Sequence, residues 1–98
     1  MIVKLSKRAR HDAKRINERW AKHADNPRIF AQELLDSLRH LRDIPHAGTP
    51  NGTARRTKRR RFLMEKSKCH IYFEVDEKRD LLNVITIWNG QRGQKPNL

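Results

Sequence analysis

Six residues have the types and spacing to act on a phosphate. Lys58, Arg59 and Arg61 lie in the basic run KRRRFLM, His70 and Tyr72 in the following run CHIYFEV, and Arg92 just after ITIWNG. Cleaving RNA by attack of a 2′-OH needs a base for that hydroxyl, a cation on the pentavalent phosphate and an acid for the departing 5′-oxygen. Lys58, Arg59, Arg61 and Arg92 can supply the cation, and His70 or Tyr72 the acid or base. Without proton transfer, Lys58, Arg59, Arg61 and Arg92 still form a surface for an anionic target.

Cys69, Ile71, Phe73 and Val75 alternate with His70, Tyr72 and Glu74, which predicts a strand with one buried face and one wet one. The wet face should carry His70, Tyr72 and Glu74. On the preceding strand Arg59 and Arg61 share a face, and Arg60 points to the other side or sits at an irregular strand entrance. Leu81 to Trp88 is more continuously apolar and is expected to be the central or best-covered strand. Lys66 to Lys68 and Asp76 to Asp80 have the length and polarity of hairpin turns.

Other chemistries find little support. The lone cysteine, Cys69, falls on the apolar side of its strand and reads as a buried bystander, which excludes a disulfide framework. The five histidines fall in no ligand-spaced pair, so no metal and no cofactor is expected. Gly48 and Gly52 lack the following helix that a phosphate-binding loop needs.

The rest of the chain supplies the layer that must cover this sheet. Ile2, Val3 and Leu5 suggest a short edge strand, and Ser6 caps a helix whose apolar stripe is Ala9, Ala13, Ile16, Trp20 and Ala24. The opposite side of that helix is basic. Asn26-Pro27 reads as the N-cap and first position of a second helix, with a stripe from Phe30 to Leu41. Pro45 to Thr57 reads as a loop. Residues 91–98 should be a loosely ordered tail. The expected fold is α+β: an N-terminal strand, a two-helix antiparallel hairpin, then three antiparallel strands, with the helices on one face.

With 98 residues, 1–98 should be a single domain, and only 36% of them are hydrophobic. A net charge of +12 favours an anionic partner. No apolar run reaches the length of a membrane span and the N-terminus lacks a signal-peptide core, so a cytoplasmic protein with no membrane partner is expected.

KRARHDAKRINERW, LRDIPHAG, RRFLMEKSKCHIYFEVDE and the WxGxRG ending of ITIWNGQRG, in that order, resemble the RelE/ParE superfamily of bacterial type II toxins along essentially the whole chain. The resemblance implies a toxin restrained by a cognate antitoxin. It also implies one of two targets: the ribosome, where RelE-like members cut mRNA, or DNA gyrase, which ParE-like members block without catalysis. RelE-like members often carry a Tyr or His just after the last strand. Here residues 89–98 contain neither, and no carboxylate side chain; Asn89 cannot exchange a proton near neutral pH, and Arg92 cannot readily act as a base. The reading therefore leans to a gyrase blocker, with the ribosome-dependent endoribonuclease as the alternative and a free-standing RNA-binding module as a remote third.

Overall fold

Ser6 turns the first strand into the first helix. Its hydroxyl accepts the Ala9 N–H at 2.9 Å and donates to the Ile85 carbonyl at 2.7 Å, so one side chain caps the helix and ties it to a distant strand. The computed structural model describes residues 1–22, 25–50, 59–90 and 96–98. In order these form β1 (Ile2–Leu5), α1 (Lys7–Ala21), α2 (Ile29–Asp43), β2 (Thr49–Pro50), β3 (Arg59–Met64), β4 (Cys69–Asp76) and β5 (Leu81–Asn89). The strands make one sheet in the order β1-β5-β4-β3-β2, with β1 parallel to β5 and the other pairs antiparallel.

Both helices cover the same face of this sheet, as the α+β expectation requires. Ala9 and Ile16 of α1, Phe30 and Leu41 of α2, Ile71 and Phe73 of β4, and Leu82, Val84 and Ile87 of β5 are each at most 2% exposed and form one core. β1 takes the expected edge position. Cys69 is buried in the core, and burial pushes its thiol pKa up, which makes it a poor nucleophile.

Four local expectations are corrected. β4, not β5, is the middle strand. The continuous apolar run of β5 has another cause: Tyr72 pairs with Thr86 while Phe73 pairs with Val84, so Ile85 is an extra residue. The bulge resets the alternation, and core positions fall at Leu82 and Val84 before it and Ile87 after it. Next, α2 begins at Ile29 with Arg28 as its cap and no capping side chain; Asn26 to Arg28 form a turn ahead of it, with the Ile29 N–H on the Asn26 carbonyl. Third, Pro45 to Thr57 is not wholly a loop, because Thr49 and Pro50 pair with Arg61 and Arg60. Last, Tyr72 is buried, as described below.

Among the described residues one carboxylate is buried between the layers. Asp12 of α1 is 6% exposed, and its carboxylate accepts the Thr86 hydroxyl and, at 3.3 Å, the Ile87 N–H. β1 pairs with β5 only as far as Val84, so these donors lie on the part of the β5 edge that β1 leaves bare. Asp12 thus takes the place of a missing strand. Arg15, one turn along, approaches the same carboxylate at 3.4 Å. Asp12→Ala should lower unfolding free energy by about 2–3 kcal/mol, since it strands two buried donors. Urea denaturation measures this, and a loss under about 0.5 kcal/mol, the size of an ordinary surface substitution, would show that water replaces the carboxylate.

Candidate functional site

The sheet face turned away from the helices is built in cross-strand rows, because residues directly opposite on antiparallel strands share a face. One row is Leu63, His70 and Trp88; the next sets Arg61 against Tyr72; a third sets Arg59 against Glu74. The alternation read from the sequence places Arg59, Arg61, His70, Tyr72 and Glu74 on this face; Leu63 and Trp88 join them in the structure.

The rows differ in how far each side chain is already committed. Arg59 donates through Nε to the Glu74 carboxylate at 3.0 Å, a partly buried ion pair that neutralises much of its charge. Arg61 has no acidic partner among the described residues. Leu63 is 45% exposed beside it. Tyr72 is only 2% exposed: its strand is the middle one, so it is flanked by Arg61 and Thr86 across the sheet and by the His70 ring, whose centroid is 6.2 Å away. The expectation that Tyr72 reaches a wet surface is therefore corrected.

His70 is hemmed in as well. Its Nδ1 is buried without a hydrogen-bond partner. On the other side Gly90 donates its N–H to the Lys68 carbonyl at 2.8 Å, and a Cβ on Gly90 would come within 2.7 Å of His70 Nε2. Glycine is what allows the end of β5 to pass over the imidazole. Burial, and secondarily the Arg61 charge, hold the His70 pKa below its ordinary value, so the ring is neutral near pH 7.

Arg60, on the opposite side of β3, missed by the sequence reading except for its direction, is a structural clamp. Its guanidinium donates to the carbonyls of His46 and Gly48, holding the α2–β2 connection against the sheet. Gly48 sits so close that a Cβ there would lie 2.9 Å from both the Arg61 carbonyl and the Phe73 ring. His46 lies 3.5 Å from Glu77 and is not brought to His70. Lys58 and Arg92 lie outside the described residues. No group of three or more His, Cys, Asp or Glu able to hold a metal occurs among the described residues, and no described helix is long and apolar enough to cross a membrane.

A second surface lies on the other layer. Between α1 and α2 a shallow groove of about 390 Å³ is floored by Ala13, Phe30, Ala31, Leu34, Leu35 and Leu38 and edged by Lys14 and Asn17. Leu35 is 47% exposed there, although it belongs to the apolar stripe of its helix. This part of the stripe is left uncovered and lines the groove.

The His70 environment has a consequence in pH. The unfolded histidine takes a proton near its ordinary 6.5, whereas the folded one resists it. Stability should therefore fall as pH drops below about 6.5, until the depressed folded pKa is passed, and His70→Gln should flatten that part of the profile. In an NMR titration, Arg61→Gln should raise the His70 pKa only part-way, because burial is the larger cause. A His70 that titrates at its ordinary value in the parent chain would contradict the packing described.

The profile of a family described as the ParE toxin of type II toxin–antitoxin systems, parDE, matches residues 3–93. The fold is similar to a chain of the intact E. coli RelBE toxin–antitoxin complex, with a TM-score of 0.61 at 16% identity over 93% of this chain and 98% of that one. It is similar to the isolated E. coli RelE toxin, with a TM-score of 0.61 at 16% identity over 93% of this chain and 85% of that one. A chain of the chromosomal ParDE system from P. aeruginosa gives 0.64 at 15% identity over 91% of this chain and 95% of that one. No protein of curated function matches by sequence.

Proposed function

We propose, for a chain that belongs to the ParE toxin family of type II toxin–antitoxin systems, that it acts as a non-catalytic blocker of DNA gyrase, docking through the face that carries Arg61. One observation supports this most: among the described residues that face offers a cation without an acidic partner, while the groups that could move a proton are covered, crowded or paired. Tyr72 is covered, His70 has its Nδ1 buried and Gly90 close against its Nε2, and one oxygen of Glu74 is held by Arg59. A ribonuclease needs an acid and a base within hydrogen-bond reach of its substrate. A blocker needs only charge and shape. Lys58 and Arg92 belong to the same proposed surface as further cations, and Leu63 supplies an exposed apolar contact beside Arg61.

The cognate antitoxin fits the groove between α1 and α2. An amphipathic segment could bury Leu35 and its neighbours, while acidic residues at its margins meet Lys14 and Arg28. No cofactor takes part in either interaction.

Purified gyrase supercoiling a relaxed plasmid provides the test. Added protein should stop supercoiling. Arg61→Gln should weaken that inhibition by about tenfold, the effect of losing one charge-assisted contact. Arg59→Gln should cost less, because Glu74 already neutralises that charge. Undiminished supercoiling, together with new 5′ ends on a message being translated in a purified system, would replace this reading with the ribosome-dependent endoribonuclease.

A further inference from the structure

The strongest concentration of charge in the described structure is away from the sheet. Of the ten exposed positions of α1, six are cationic: Lys7, Arg8, Arg10, Lys14, Arg15 and Arg19. The others are His11, Asn17, Glu18 and Ala21, so a single exposed acid interrupts the array. At 100° per residue these cations spread over about half of the helix circumference, and fifteen residues run for about 22 Å.

This arrangement works against the helix. Lys7, Arg8 and Arg10 fill a first turn that has no acidic residue, where the helix dipole disfavours cations. Lys7, Arg10 and Lys14 follow one another at helical spacings of three and four, where like charges repel. None of these three has an acidic partner among the described residues. The helix holds because its other side is packed on β5 and because Ser6 and Asp12 anchor it.

We propose that the outer side of α1 binds the phosphate backbone of duplex DNA, independently of the Arg61 face and without reading sequence. A one-sided array of cations along a single 15-residue helix matches a regular duplex. The B-form major groove is wide enough to admit a helix, whereas that of A-form RNA is too narrow. No Phe, Tyr or Trp is exposed along this side and His11 is its one exposed ring, so it lacks the series of stacking platforms with which proteins hold single strands. Nor does it need gyrase: the surface would act on DNA whatever the toxin's target.

Fluorescence anisotropy of the purified full chain with a labelled mixed-sequence duplex of about two helical turns, over a range of salt, tests this. Each phosphate contact contributes about 0.9 to the slope of log K against log salt. The triple variant Lys7→Gln, Arg10→Gln, Lys14→Gln should therefore lose about 2.7 from that slope and bind more than tenfold more weakly at ~0.1 M salt. A charge-matched control, Arg39→Gln, Lys66→Gln, Lys78→Gln, removes exposed cations elsewhere and should keep most of the slope. In the wild-type chain, duplex DNA should shield Lys7 and Lys14 from amine acylation more than Lys66 and Lys78, a readout that needs no variant to fold. An equal loss of slope in the control would make binding a property of net charge and overturn the assignment. Uniform acylation, or duplex RNA of the same sequence binding at least as tightly, would overturn it too.

Discussion

The buried Asp12 carboxylate is the contact on which the arrangement of the two layers depends. β5 is nine residues long and its parallel neighbour β1 only four, so half of one β5 edge would face the protein interior with unpaired backbone donors. A charged side chain from α1 fills that gap. It accepts the Ile87 N–H beside the bulge at Ile85 and takes the Thr86 hydroxyl as a second donor. Because the same helix is capped by Ser6, which is bonded to Ile85, the first two turns of α1 are fixed to β5 at both ends of the bulge. The bulge in turn restores the alternation that puts Ile87 in the core. Anchor and irregularity depend on each other.

That anchoring explains how so cationic a helix can be tolerated. A 15-residue helix with cations at its N-terminus and like charges one turn apart is poorly stabilised by its own surface. Packing of Ala9 and Ile16 and the Asp12 and Ser6 bonds replace what the surface does not provide. Apart from Arg15, which approaches Asp12, and Arg8, which donates to the Asn97 carbonyl, the outer side of α1 carries little structural duty, and its composition can follow the demands of a partner.

Most of the fold was legible because it rests on periodicity. The strand alternation of Cys69 to Val75, the helical stripes and the turn residues each report a local geometry, and each local geometry was right in kind. What escaped the sequence depends on neighbours distant in the chain. Tyr72 has the parity of an exposed residue, and parity is all a sequence gives; its burial comes from Arg61, Thr86 and His70, on three strands. The bulge at Ile85 looked like simple apolarity, because two core positions before it and one after it blur into a continuous run. Asp12 looked like one more charge on a charged helix, and Arg60 like one more member of a basic run. Gly90 lay in a motif read as a family mark, while its physical role, passing over His70 Nε2, appears only when two strand ends meet.

The same neighbours decide what the outer sheet face can do. A sequence supplies His70, Tyr72, Glu74, Arg59 and Arg61 to one face, and any of them could be given a chemical role. Packing removes them one at a time. Glu74 goes to Arg59, Tyr72 to its flanking side chains, and His70 to burial and Gly90; the Arg61 charge that would help hold an anion also helps keep the histidine neutral. The Arg61 charge is left without an acidic partner among the described residues. A surface of that kind gains little from the transition state of a reaction and can still gain a great deal from a stable anionic or mixed partner, because its interactions are already formed in the ground state. On the proposed reading it serves as a binding face, and that reading draws on two separate facts: residues 89–98 hold no Tyr, His or carboxylate side chain, and packing crowds those on β4.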